Sequence, residues 1–202
     1  MSRIFLIFAS ALVALMAGAL FYAARIPVQA PQPAPQLIEQ PEALEIVTHP
    51  SFTLPDMSGT DRDFSEWRGK NVILNFWATW CAPCRREIPL LKAFQDEQSG
   101  NGFQVIGIAV DYMDTVARYA ETANFNYPVL VGEQGAMAIA ESSGIHFSVL
   151  PFTMFLASDG EYIGAYIGEL HQQHLDTIVE VMTRLDRAEI SKDSARAALN
   201  RL

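Results

Sequence analysis

The run Val72–Ile88, VILNFWATWCAPCRREI, decides how the rest of the chain is read. Its first part, Val72-Ile73-Leu74-Asn75-Phe76-Trp77, is apolar and rich in β-branched and aromatic residues. It is too short for a helix and reads as a buried strand. From Arg85 to Phe94, charged and apolar residues alternate at helical spacing. Cys81-Ala82-Pro83-Cys84 therefore falls at a strand-to-helix junction, on the first turn of the helix. These are the only two cysteines among 202 residues.

The first turn of a helix presents unpaired backbone N–H groups and the positive end of the dipole. A thiolate there is stabilised, and its pKa falls below the free value of about 8.5. Residues three apart on a turn are neighbours, within the roughly 4.4–6.8 Å between Cα atoms that a disulfide needs. Pro83 is tolerated because a first-turn N–H has no intrahelical partner. Cys81, at the exposed end, reads as the attacking thiolate, and Cys84, one turn deeper, as the resolving thiol. A zinc site needs two more ligands. There is no second cysteine pair, and His49, His146, His171 and His174 are scattered or distal. A purely structural disulfide would gain little chain entropy from so short a loop.

The segment Phe76-Trp77-Ala78-Thr79-Trp80-Cys81-Ala82-Pro83-Cys84-Arg85 resembles the active-site strand and helix of the thioredoxins. Arg86-Glu87-Ile88-Pro89 continues it in the manner of the TlpA/ResA/DsbE-like branch. The resemblance spans about Ser51 to Asp186. It implies an α/β, thioredoxin-like fold: a central mixed sheet flanked by helices, with an N-terminal β-hairpin extension. It implies an extracytoplasmic thiol–disulfide oxidoreductase that needs no cofactor. The expected work is disulfide reduction, as in cytochrome c maturation or disulfide repair. The expected partners are disulfide-bearing protein substrates and a membrane thiol electron donor.

The same resemblance assigns further site residues. Pro151 falls where the fold carries a cis proline facing the cysteine pair, so the Leu150 backbone would pair with a bound substrate strand. Trp80 is expected to flank the nucleophile as an apolar contact surface. Asn75 stands where thioredoxin has a buried acid, and an amide takes no proton at working pH. Glu87 is the candidate replacement, because a partly buried carboxyl has a raised pKa and can shuttle protons. The alternative for Glu87 is a solvated helix carboxylate. Arg85 and Arg86 either favour the thiolate or are ordinary surface charges.

Two other functions stay open at this point. One is a disulfide-forming oxidase, since direction depends on environment as well as motif. The other is a copper or other metal-binding module using Cys81, Cys84 and His146. A peroxidase needs its cysteine, threonine and proline in a different arrangement. A net charge of −9 and a pI near 4.8 argue against nucleic acid as a partner. With two cysteines, the domain is not held together by disulfides.

The chain reads as four regions. Residues 1–25 read as a transmembrane anchor or signal-anchor. Ile4 to Ala24 carries no charge and as a helix would span about 30 Å. That run exceeds the about 7–15 apolar residues of a cleaved signal, which favours an uncleaved anchor. Flanking charges are too few to orient it. The resemblance implies a single pass through a bacterial inner membrane, with the domain in the periplasm. Residues 26–45 are a proline-rich linker holding Pro27, Pro31, Pro33, Pro35 and Pro41, which favours extended conformations.

Residues 46–186 are the thioredoxin-like domain. The expected elements are a hairpin around Ser58-Gly59, a helical turn stopped by Gly69, and strands at Gln104–Val110, Pro128–Val131, Phe152–Leu156 and Tyr162–Ile167. Helices are expected at Met113–Ala123, Gln134–Ser142 and Leu170–Leu185, and Pro89 should kink the active-site helix. Residues 187–202 are a polar helical extension with a weak stripe of Ala195, Ala198 and Leu199.

Overall fold

The computed structural model describes Met16, Phe21, residues 50–142 and residues 149–202. The remainder of the expected anchor, the linker at 26–45 and His146 lie outside the described residues. The chain divides into two units, Met1–Ala43 and Leu44–Leu202, and the second holds the central sheet and both cysteines. Among the described residues, no helix is long and apolar enough to cross a membrane.

Five strands form the central sheet: β3 (Asn71–Trp77), β4 (Phe103–Ala109), β5 (Val129–Val131), β6 (Phe152–Leu156) and β7 (Tyr162–Ile167). Their order is β5-β4-β3-β6-β7. β4 runs parallel to β3 and β5, whereas β6 runs antiparallel to β3 and β7. Every residue of β3 and β4 is buried, as expected where helices cover both faces of a sheet. The two faces nevertheless separate with period two. Ile73, Trp77, Phe103 and Val105 belong to one core cluster, and Val72, Leu74, Phe76, Ile106 and Ile108 to the other.

The first cluster lies under α1 (Ala82–Gln98) and α4 (Gln172–Asp186), through Ile88, Leu91, Phe94, Leu175 and Ile178. The second takes in α3 (Glu133–Ser142), through Ala136 and Ile139. Helix α2 (Met113–Ala123) adds Val116 to the first cluster. Before the sheet comes the hairpin of β1 (Thr53–Pro55) and β2 (Asp61–Asp63). Its second strand starts just past the expected turn because Asp56 shapes that turn, accepting the N–H groups of Ser58 and Thr60. Leu54 of β1 packs so closely on α3 that a Cβ at Gly135 would lie 2.7 Å from Leu54 Cδ2.

Helix α1 runs from Ala82 to Gln98 with Pro89 inside it. Two expectations change. Helix α4 begins at Gln172 rather than Leu170, because His171 is its N-cap and keeps extended backbone (φ −124°, ψ 164°). The extension is not an appendage: α5 (Lys192–Leu199) is packed, with Ala195 and Leu199 buried. It lies against β7, where a Cβ on Gly164 would be 3.4 Å from Leu199 Cβ. Lys192 pairs with Asp159 and Glu161, and Arg196 pairs with Glu161.

Candidate active site

Cys81 is the N-cap of α1, with extended backbone (φ −81°, ψ 106°). Its Sγ accepts the N–H of Cys84 at 3.3 Å, one of the orphan donors of the first turn. The two sulfurs are joined in a disulfide, with Cα atoms 5.3 Å apart. Pro83 stands at the second helical position, as its missing N–H allows. Cys84 is fully buried, Cys81 retains 5% of its surface, and Trp80 beside it is 69% exposed. Cys84 is thus the deeper of the two, but Cys81, expected at the exposed end, is itself buried.

Pro151 immediately precedes β6, and Leu150–Pro151 is a cis peptide. The register pairs Phe76 with Phe152, and the two rings stack at 4.2 Å. Pro151 thus lies beside the end of β3 from which the Cys81 loop emerges. Its carbonyl accepts the N–H of Gly168 at 2.9 Å. Leu150 is half-buried and Val149 is exposed.

Glu87 is one turn beyond Cys84, on the same face of α1. Its side chain is 1% exposed, so the solvated-carboxylate reading fails. Oε1 accepts Asn75 Nδ2–H at 2.8 Å, and Oε2 accepts the Leu170 N–H at 2.7 Å. Burial pushes the carboxyl up to about 7, against the opposing pull of those two donors. Asn75 also donates to Thr153 Oγ1 at 3.0 Å. Asn75 and Thr153 face each other across β3 and β6, and both are buried. Asn75, where the resemblance expects an acid, thus presents an amide that holds Glu87.

Of the two arginines, Arg86 is committed elsewhere. Its Nε–H donates to both oxygens of Glu169 at 3.1 Å. His171 and His174 form the cap of α4, the His171 N–H donating to His174 Nδ1 at 3.1 Å. Among the described residues, no group of three or more histidine, cysteine or acidic side chains is placed to hold a metal.

Sequence reasoning passed over Asp111, Thr79 and Thr153. Asp111 Oδ2 accepts the Thr79 N–H at 3.0 Å and its hydroxyl at 2.6 Å, and Oδ1 accepts the Tyr112 N–H at 2.8 Å. The available signal was the position of Asp111 just after an apolar strand, where an Asx turn is common.

A disulfide capping a helix at the end of a central strand, on a mixed sheet of this order, defines a thioredoxin-fold thiol–disulfide oxidoreductase. The profile described as the AhpC/TSA family matches residues 47–161. The thiol-disulfide oxidoreductase ResA of Geobacillus kaustophilus is 31% identical over 136 residues, which are 65% of this chain and 76% of that protein. A thiol:disulfide interchange protein from Chlorobium tepidum TLS is 28% identical, with a TM-score of 0.60, over 67% of this chain and 94% of that one. A secreted thiol-disulfide isomerase from Corynebacterium glutamicum is 27% identical with a TM-score of 0.60, over 67% of this chain and 85% of that one. The chain belongs to the AhpC/TSA family and to the ResA-like thiol–disulfide oxidoreductases.

Proposed function

We propose that the protein reduces disulfides outside the cytoplasm. The observation that carries this reading is the Cys81–Cys84 disulfide at the N-cap of α1, taken with the likeness to ResA. In the reduced protein, the Cys81 thiolate attacks one sulfur of a substrate disulfide. The Cys81–substrate bond forms, and the other substrate sulfur leaves as a thiolate that takes a proton from water. The Cys84 thiol then loses its proton to Glu87, held near neutrality by burial. Its thiolate attacks Cys81, forming the intramolecular disulfide and expelling the second substrate thiolate, which likewise takes a proton from water. Substrate gains two electrons and two protons, and the pair is oxidised. A thiol donor in the membrane returns the electrons.

Trp80 and the backbone at Leu150 are the surface that receives the substrate, and Pro151 sets the edge of that surface. The uncharged run Ile4–Ala24 anchors the chain in a bacterial inner membrane. The proline-rich stretch 26–45 stands the domain off in the periplasm. Cytochrome c maturation is the pathway that this reading favours.

The test is the redox state of Cys81 and Cys84 in growing cells, fixed by acid quench and alkylation of free thiols. A mostly reduced pair in an oxidising compartment supports the reductase. A mostly oxidised pair favours the disulfide-forming direction, or a reductase whose donor is absent under the growth condition.

A further inference from the structure

The Asp111 carboxylate sits where two chain segments part. β3 and β4 run in register to Trp77 and Ala109, and the Val110 N–H still donates to the Trp77 carbonyl at 2.8 Å. Beyond that bond the β3 side continues through Ala78, Thr79 and Trp80 to Cys81. The β4 side continues through Asp111 and Tyr112 into α2. Asp111 is buried and reconnects the two. Its two oxygens take three donors: both donors of Thr79, and the N–H of Tyr112. Bonds to an ionised acceptor are about twice as strong as neutral ones.

The residues that follow Thr79 and Asp111 in the chain each hold an aromatic ring out in solvent. Trp80 is 69% exposed and Tyr112 is 66% exposed. Rings of that size normally supply core area. Here one buried carboxylate is bonded to the residue before Trp80 and to the N–H of Tyr112, and so ties together the backbone that carries two rings that do not. The fold gains little from such an arrangement, whereas a docked polypeptide gains two pre-placed contact surfaces.

We propose that Asp111 is a positioning residue for exchange, acting through Thr79 to hold Trp80 and Cys81 in the pose that receives a polypeptide disulfide. The inference rests on the reading of Cys81 as the attacking sulfur. It concerns docking, and not the intrinsic reactivity of the pair.

The test uses the full-length protein in detergent, reduced and then mixed with either insulin or hydroxyethyl disulfide. The small disulfide reads the cysteine pair alone. Asp111→Ala is expected to lower kcat/KM toward insulin about tenfold, chiefly through KM, and to slow the small disulfide by less than about threefold. Thr79→Val loses the hydroxyl donor and is expected to follow Asp111→Ala part of the way. Thr79→Ser restores that donor and is expected to return insulin reduction to within about twofold of the parent. Equal losses on both substrates, or no loss on insulin, overturn the proposal. If Asp111→Ala does not fold, the Thr79→Val and Thr79→Ser pair decides by the same criterion. An unmodified protein inert to hydroxyethyl disulfide would instead refute the assignment of Cys81.

Discussion

The Leu170 backbone N–H and the Asn75 side-chain amide both donate to Glu87, at 2.7 and 2.8 Å, inside a core that water does not reach. Two donors hold the carboxylate form, and burial opposes it. Burial is the larger effect, and the carboxyl rises from 4.5 to about 7. In the folded protein Glu87 therefore binds a proton across pH 4.5–7 that the unfolded chain has already released. Its contribution to stability is fully present below about pH 4.5 and is lost as pH rises through about 7.

The first prediction concerns Glu87→Gln in the oxidised protein. The variant lacks this proton and its pH dependence. Between pH 4.5 and 7 its stability is expected to gain on that of the parent by about 3 kcal/mol, from a shift of 4.5 to about 7. Denaturant titrations of both proteins across this range check it. Parallel pH profiles would mean that Glu87 is ionised throughout.

Removing one donor moves the same group further. Asn75→Ala deletes a bond that favours the charged form, so the Glu87 carboxyl is expected to titrate above its present value of about 7. The half-maximal pH of exchange is expected to rise with it. Carbon NMR of the Glu87 carboxyl gives the titration directly. A midpoint that falls, or does not move, would show that Asn75 does not hold the charge.

The two cysteines are expected to fail differently. Intramolecular attack by a well-placed group has an effective molarity of about 10⁵ M or more, which no external thiol matches. Cys84→Ser is therefore expected to lengthen the life of the mixed disulfide at least about a thousandfold, enough to trap substrate on a non-reducing gel. Cys81→Ser is expected to abolish turnover. Full insulin reduction by Cys81→Ser would reverse the assignment of the nucleophile.

Legibility tracks the range of the interaction. Strand β3 and the N-cap cysteine can be read because hydrophobic run, turn and helix succeed one another within Val72–Ile88. Glu87 is readable only as a choice between buried and solvated, since its burial depends on a strand and a loop far along the chain. Leu170 donates to it across 83 residues, and Thr153 meets Asn75 across 78. Thr79 and Asp111 are 32 residues apart and meet only because β3 and β4 pair in that register. A local pattern carries no register, so no local signal announces such pairs.

The C-terminal extension shows the same limit from the other side, because its stripe is faint yet its packing is complete. Helix α5 has eight residues, and only Ala195 and Leu199 are buried. Leu199 lies over Gly164, which leaves β7 without a side chain at that point. Leu199 is 1% exposed, so Leu199→Ala removes its methyl groups from a site that cannot close without moving β7. The expected loss is about 2–5 kcal/mol, the range for such truncations in a packed core. The ion pairs of Lys192 and Arg196 with Glu161 are partly exposed and cannot replace it, since each contributes at most about 1 kcal/mol. Urea denaturation of Leu199→Ala beside Lys192→Ala separates the two contributions. A loss under about 1 kcal/mol for Leu199→Ala would return the extension to an appendage that the domain does not need.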